Sequence, residues 1–142
     1  LDDLNARINA ERGKVRTPEK VVKVEREVFR SEILNTTVSF IIDRSSITDI
    51  QMKNVAEVAK YIEEHPDVNI VITGYADVKT AYPEYNMKLS KRRAESVRDA
   101  LVKKFKVDPS RLRIDYKGDT VQPFEMKNEW NRVVIFLTEP RK

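Results

Sequence analysis

The chain has 142 residues, of which 40% are hydrophobic and 35% are charged, and it contains no cysteine. Its length and apolar content suit one compact domain with an additional segment, and the lack of thiols excludes disulfides, thiolate metal sites and a cysteine nucleophile. The net charge of +4 comes from 27 basic and 23 acidic residues that are mixed along the chain, whereas nucleic-acid-binding proteins more often concentrate basic residues on one face.

Residues 1–34 are predicted to be a charged linker, or a segment leading in from an upstream domain. A short apolar stripe at its start is interrupted by Gly13 and Pro18, residues that break regular structure. Valines at 21–28 suggest an edge strand. The chain does not begin with Met, so we expect a piece of a longer protein. It has no run of about 18 apolar residues, so no membrane-spanning helix is predicted. Residues 35–142 are predicted to form the main domain.

The main domain is predicted to begin with a strand, a helix and a second strand. The first strand is T-T-V-S-F-I-I at 36–42, a β-branched and apolar run. Thr48 and Gln51 have the spacing of a helix capping box, apolar residues at helical spacing follow, and Pro66 ends the helix. Residues 68–73 form an apolar strand.

The second half of the domain is predicted to contain another helix and two more strands. The helix covers about 85–105, a strand covers 112–116, and a long loop at 118–131 leads to a final strand at 133–137. Strand–helix–strand units imply parallel pairing, and the last two strands allow an antiparallel member. The order β-α-β-α-β-β therefore predicts an α/β (α+β) sandwich, a mixed sheet with two main helices packed on one face.

The second helix carries two adjacent arginines for which different environments are predicted. A helix advances about 100° per residue, so with Leu89 at zero Arg93 lies at about 40°, inside the apolar stripe, and Arg92 at about 300°, outside it. Lys104 also falls inside the stripe, but near the helix end, where it can reach water. An unpaired buried guanidinium is costly, and Asp77 directly follows the strand on which the helix packs. We therefore expect an acid and an arginine that can bind a zwitterion.

Other interpretations of these residues remain open. Asp77 and Arg93 could pair only with each other to hold the loop. Asn86 could cap the helix, and Ser90 could be a first-turn residue without a ligand. His65, at the end of the first helix, is predicted to cap carbonyls. No Ser/His/Asp set, paired carboxylates or phosphate loop stands out, so we expect neither catalysis nor a bound metal or cofactor.

Three stretches resemble the OmpA-like C-terminal domain, a periplasmic module of outer membrane proteins, peptidoglycan-associated lipoproteins and flagellar stator proteins. They are G-Y-A-D at 74–77, Y-N-M-K-L-S-K-R-R-A-E-S-V from 85, and the late G-D-T-V-Q-P with N-R-V-V. The resemblance covers about residues 36–138. It implies non-covalent binding of the diaminopimelate-containing stem peptide of peptidoglycan, which tethers the outer membrane to the cell wall. It also implies an upstream outer-membrane domain and allows a homodimer.

The resemblance assigns roles to particular residues. The family's acid grips the ligand's ammonium and its arginine grips the carboxylate, roles that fall on Asp77 and Arg93. Asn86 and Leu89 occupy ligand-loop positions, and Tyr75 and Ala76 precede the acid.

The chain departs from the family pattern in three places. The usual G-H-T-D is here G-Y-A-D, so the threonine hydroxyl is lost at Ala76. The loop at 78–85 lacks the usual glycine and carries Pro83. The closing N-R-R-V is Asn131-Arg132 followed by two valines.

Two other functions compete with peptidoglycan binding. One is a structural or oligomerisation domain in which Asp77 and Arg93 have no ligand. The other is a nucleic-acid-binding module, suggested by the basic residues of the second helix. No aromatic residues interleave with those basic residues as a stacking surface would require, so we expect no nucleic-acid partner.

Overall fold

The computed structural model describes residues 31–141, so the edge strand predicted at 21–28 lies outside the described residues. Within that part the elements follow the predicted order β-α-β-α-β-β. They are β1 (Val38–Ser39), α1 (Asp49–Glu64), β2 (Val68–Gly74), α2 (Pro83–Lys103), β3 (Leu112–Tyr116) and β4 (Val133–Pro140), with single 3-10 turns at Pro109–Arg111 and Asn128–Asn131. In this part of the chain, neither helix is long and apolar enough to cross a membrane.

The four strands form one mixed sheet in the order β1-β4-β2-β3. β2 and β3 pair in parallel, with Gly74 opposite Tyr116. β4 is antiparallel to β1 on one side and to β2 on the other. The predicted fold class is therefore confirmed. As expected of a strand–helix–strand unit, β2 and β3 are parallel and hydrogen-bonded to each other. β1 and β2 are not neighbours, because β4 lies between them.

The first strand is shorter than the predicted 36–42. Regular pairing covers only Val38–Ser39, after which the backbone turns at Asp43, whose φ is 57°. Ile41 and Ile42 consequently lie on the surface, with 55% and 51% exposure. The apolar run suggested a continuous buried strand, but its last two residues belong to the loop that leads to α1.

Residues 32–34 extend the sheet edge beside β4, although the sequence assigns them to the linker. The Leu34 amide donates to the carbonyl of Phe136, and the amide of Thr138 donates to the carbonyl of Glu32, at 3.0 and 2.9 Å. Ile33 forms an isolated bridge with Leu137. The domain boundary at residue 34 stays a prediction.

The ends of α1 are set by the predicted residues. The Thr48 side chain accepts a 3.3 Å hydrogen bond from the amide of Gln51. The Gln51 side chain does not close a capping box, because it accepts a hydrogen bond from the amide of Ser39 instead. At the other end, Nδ1 of His65 lies 2.8 Å from the carbonyl oxygen of Tyr61, which confirms the predicted carbonyl cap.

Arg111 is a second buried arginine, and it joins the end of α1 to the start of β2. Its guanidinium donates to the carbonyl oxygens of Val68, His65 and Ile62, at 2.5–3.3 Å. Burial lowers the pKa of this guanidinium from its ordinary value. The hydrogen bonds to Ile62 and His65 satisfy carbonyls that the end of the helix leaves without an internal partner.

The core lies between the two helices and the sheet. Its buried apolar residues are Val38, Phe40, Val55, Val58, Ile62, Ile70, Ile72, Ala94, Val97, Leu101, Val134 and Phe136. α2 approaches β2 so closely that a Cβ atom added to Gly74 would lie 2.0 Å from the carbonyl oxygen of Ser90. This contact requires glycine and sets the last residues of β2 directly against the first half of α2.

Candidate functional site

Asp77 lies just past the end of β2 with only 1% of its surface exposed. Its Oδ2 accepts a 2.7 Å hydrogen bond from Asn128 Nδ2, and its Oδ1 accepts one from the Thr80 hydroxyl. Arg132 Nε lies 3.5 Å from Oδ1 but is not aligned for a hydrogen bond. A buried carboxylate needs such partners because an unpaired one is strongly disfavoured.

The backbone on both sides of Asp77 is held by one amide side chain. Gln122 Nε2 donates to the carbonyl oxygen of Ala76 at 2.9 Å, and Gln122 Oε1 accepts from the amide of Val78 at 3.1 Å. The amide of Ala76 in turn donates to the carbonyl of Gly118. The β3–β4 loop therefore fixes the direction in which the Asp77 side chain points.

Arg93 is fully buried on α2, while its neighbour Arg92 is exposed, as the helix phase predicts. Its Nε, Nη1 and Nη2 donate to the carbonyl oxygens of Arg44, Tyr75 and Ile41, at 2.8, 3.0 and 3.3 Å. The guanidinium thus joins α2 to the loop after β1 and to the end of β2.

The charge of Arg93 is retained in this position. Burial lowers the pKa of Arg93 from its ordinary value to about 10, against the opposite effect of the nearby Asp77 anion. The side chain is therefore still cationic at neutral pH. Within residues 31–141, the ion pair of Asp77 is with Arg132, so Asp77 and Arg93 do not hold the loop by pairing directly.

Asn86 is fully buried and joins the two loops near Asp77. Its Nδ2 lies 2.9 Å from Asp119 Oδ2, 3.3 Å from the Ala81 carbonyl oxygen and 3.4 Å from that of Asp77. The interpretation of Asn86 as the helix cap is wrong, because the N-cap residue is Tyr82. Asn86 lies one turn inside α2 and faces the protein.

The remaining predicted residues lie near Asp77 and Arg93 and are buried or partly buried. Leu89 is 1% exposed and Ala76 is fully buried. Tyr75 is partly buried, which raises the pKa of its phenol. The hydroxyl of Ser90 accepts a 2.8 Å hydrogen bond from the amide of Gly118, so Ser90 anchors the β3–β4 loop.

Four side chains that contact Asp77 or the backbone on either side of it were missed as site residues in the sequence. Arg132 and Gln122 stand in the N-R and V-Q-P stretches that carried the family resemblance, which was an available signal. Thr80 and Asn128 lie in loops without periodicity and gave none. Thr80 supplies Asp77 with a hydroxyl donor, although Ala76 has none.

An open concavity of about 510 Å³ is lined by Thr80, whose hydroxyl donates to Asp77. Its lining also includes Asp43 and Tyr85, and the Tyr85 hydroxyl donates to the Asp43 carboxylate. A second concavity of similar size, about 520 Å³, lies between α1 and the residues that follow α2. Neither lining contains a predicted site residue, and of the two only the first includes a side chain, that of Thr80, which contacts Asp77.

Comparison with known proteins identifies the family. The model of the OmpA family matches residues 39–134, and the chain belongs to that family. It is 34% identical over 148 residues to outer membrane protein 41 of Porphyromonas gingivalis and 36% identical over 143 residues to outer membrane protein 40 of the same organism. Each alignment covers 95% of this chain, which spans 36% and 37% of the length of these relatives.

A solved structure has the same fold. The peptidoglycan-associated lipoprotein from Burkholderia pseudomallei superposes with a TM-score of 0.67 and 27% sequence identity, covering 74% of this chain and 91% of the lipoprotein chain. The family predicted from the G-Y-A-D and N-M-K-L-S stretches is therefore confirmed. The predicted envelope setting agrees with relatives that are themselves outer membrane proteins.

Proposed function

We propose that this domain binds peptidoglycan without covalent chemistry, through the diaminopimelate-containing stem peptide, and that it does so in the periplasm to tether an outer membrane protein to the cell wall. The observation that carries the proposal is a buried carboxylate, Asp77, and a buried guanidinium, Arg93, at the same end of β2, with an open concavity on the far side of Thr80. The likeness to a peptidoglycan-associated lipoprotein supports it.

The two charges suit the two ends of an amino acid. We assign the ligand's ammonium to Asp77, because charge-assisted hydrogen bonds to a carboxylate are among the stronger ones. We assign its carboxylate to Arg93. A guanidinium has five N–H groups, and three of those of Arg93 are donated to carbonyls, which leaves two for a ligand.

Access is the main requirement that this assignment adds. Asp77 and Arg93 are both almost completely buried, so a ligand can reach them only if the side chains over Asp77 move. Thr80 and Asn128 are the partners to displace, since both donate to the Asp77 carboxylate. A ligand ammonium would replace their hydrogen bonds with bonds between two opposite charges, which offsets the displacement.

Each site is expected to bind weakly, on the order of micromolar to millimolar. Peptidoglycan repeats the same epitope many times, so many copies of the domain in one membrane would gain from the high effective concentration. The role proposed is that of an anchor, with Asp77 and Arg93 as binding groups and no catalytic step.

The alternative is a structural domain without a ligand. The observation in its favour is that the carboxylate of Asp77 already has three side-chain partners within the protein. In that case the network would serve only to hold the β3–β4 loop to the end of β2.

Sedimentation with insoluble peptidoglycan tests the two functions against each other. Binding predicts that the purified protein pellets with the wall material and that soluble stem peptide releases it. Protein that stays in the supernatant, with flat heats in calorimetry at millimolar muropeptide, would exclude the proposed function and leave the structural one.

A further inference from the structure

Two buried amide oxygens near Asp77 have no hydrogen-bond donor. Among the described residues, the side-chain Oδ1 atoms of Asn86 and Asn128 are shielded from solvent and unpartnered. Asn86 is fully buried as a residue. Buried polar groups in native proteins are nearly always hydrogen-bonded, so such an atom calls for an explanation.

The orientation of each amide follows from its neighbours. Asn128 turns its Nδ2 toward the Asp77 carboxylate, since the reverse orientation would bring an oxygen against an anion. Asn86 turns its Nδ2 toward three oxygen acceptors, of which Asp119 Oδ2 is the nearest. Exchanging nitrogen and oxygen in either residue would break these bonds, so each Oδ1 is the atom left without a donor.

These atoms offer several acceptors near Asp77, against one buried side-chain nitrogen without a hydrogen-bond partner among the described residues, Arg132 Nε. The Asp77 carboxylate carries negative charge, and each of the two amides that donate to Asp77 leaves a free oxygen. A primary ammonium has three N–H donors and no acceptor. It can satisfy one carboxylate oxygen and amide oxygens together, which a neutral ligand without N–H groups cannot.

We propose that Asn128 is a specificity-determining residue for the ligand's ammonium, with Asn86 as the second amide acceptor. This inference rests on the proposed function. Without ligand, the Asn128 amide holds Asp77 Oδ2. With ligand, the ammonium takes that oxygen and Asn128 Oδ1 accepts a hydrogen bond from the same ammonium. Asn128 therefore both closes the empty site and recognises the amine that opens it.

The test compares insoluble peptidoglycan with the same material after acetylation of its free amines. For the unmodified protein, binding to untreated material is expected to be stronger. Asn128→Ala should weaken binding to untreated material about tenfold, the effect of one charge-assisted hydrogen bond, and should leave binding to acetylated material unchanged. Asn128→Asp keeps an acceptor oxygen and should retain the preference for free amines.

Asn69→Ala provides a matched control. Asn69 Oδ1 is also buried and unpartnered, but it lies near the start of β2, at the opposite end of the strand from Asp77. This variant should bind both materials like the unmodified protein. Thermal melts establish that each variant is folded at the assay temperature.

Two results would overturn the inference. If Asn128→Ala weakens binding to both materials equally, Asn128 acts only by positioning the loop. If it weakens neither, Asn128 does not contact the ammonium. Failure of the unmodified protein to bind either material would overturn the proposed function, and this inference with it.

Discussion

Arg132 lies 3.5 Å from the carboxylate of Asp77, across 55 residues of sequence. The contact joins Arg132, which directly precedes β4, to Asp77, which lies three residues after the end of β2. Arg93, the arginine that the sequence places with Asp77, instead donates to three backbone carbonyls. The two arginines therefore have different roles. Arg132 neutralises Asp77 directly, whereas Arg93 holds the loops around it by hydrogen bonds to their backbone.

Asp77→Asn should weaken pelleting with peptidoglycan by one to two decades while the protein stays folded. The loss follows from removing the charge that an ammonium requires, about 1.5–3 kcal/mol for a charge-assisted hydrogen bond. The fold should survive, because the new amide can accept from Thr80 and Asn128 can turn its own oxygen toward it. Asp67→Asn, the same change just before β2, should have no effect on pelleting. An unfolded Asp77→Asn variant would favour the structural role.

Arg93→Lys should weaken both ligand binding and stability, and Arg92→Ala should change neither by much. Lysine concentrates its three N–H donors at one point and cannot grip a carboxylate in two places. It would also leave carbonyls of Arg44, Tyr75 or Ile41 unpaired, at about 1–3 kcal/mol for each buried group. Arg92 is exposed, so its removal is expected to stay within about 0.5 kcal/mol. Pelleting and thermal melts on the two variants measure both effects. Equal losses of binding would mean that general positive charge drives it.

Arg111→Lys separates stability from binding. Like Arg93, Arg111 is a buried arginine that donates only to carbonyls, and its conversion to lysine should cost a similar few kcal/mol. Arg111 lies beside Val68, at the far end of β2 from Asp77. At a temperature where both variants are folded, Arg111→Lys should therefore bind like the unmodified protein and Arg93→Lys should not. Parallel losses would indicate that reduced stability alone explains the Arg93 result.

Gly74→Ala should destabilise the domain more than any exposed substitution. The added Cβ would lie 2.0 Å from the backbone carbonyl oxygen of Ser90, a distance that only movement of α2 away from β2 can relieve. Overpacking of this kind typically costs about 1–3 kcal/mol, and more where backbone must shift.

Gly118→Ala is expected to be milder. Its added Cβ would lie 3.0 Å from the Cα of Met87, and the φ of 57° at this position disfavours alanine, so the cost should be about 1–2 kcal/mol. Chemical denaturation measures both. A Gly74→Ala variant as stable as the unmodified protein would contradict the close contact.

The central residues of the candidate site were predictable from local pattern. Asp77 follows a clear apolar strand, and helix phase separates Arg93 from Arg92, because both inferences depend only on residues close in sequence. The partners of Asp77 were not predictable in this way. Asn128 and Arg132 reach it from 51 and 55 residues away, out of a loop whose course no periodicity fixes. The central position of β4 was missed for the same reason, since strand order depends on pairing between distant segments.

Because β4 lies between β1 and β2, the sheet cannot form completely without residues 133–140. β1 pairs only with β4 among the described strands, and Arg132 immediately precedes β4. A nascent or truncated chain that stops before residue 132 can form α2 and the β2–β3 pair, but it has neither a finished sheet nor the cation that neutralises Asp77. Closure of the sheet and neutralisation of Asp77 therefore both depend on residues from 132 onward, and a chain that stops before them has neither.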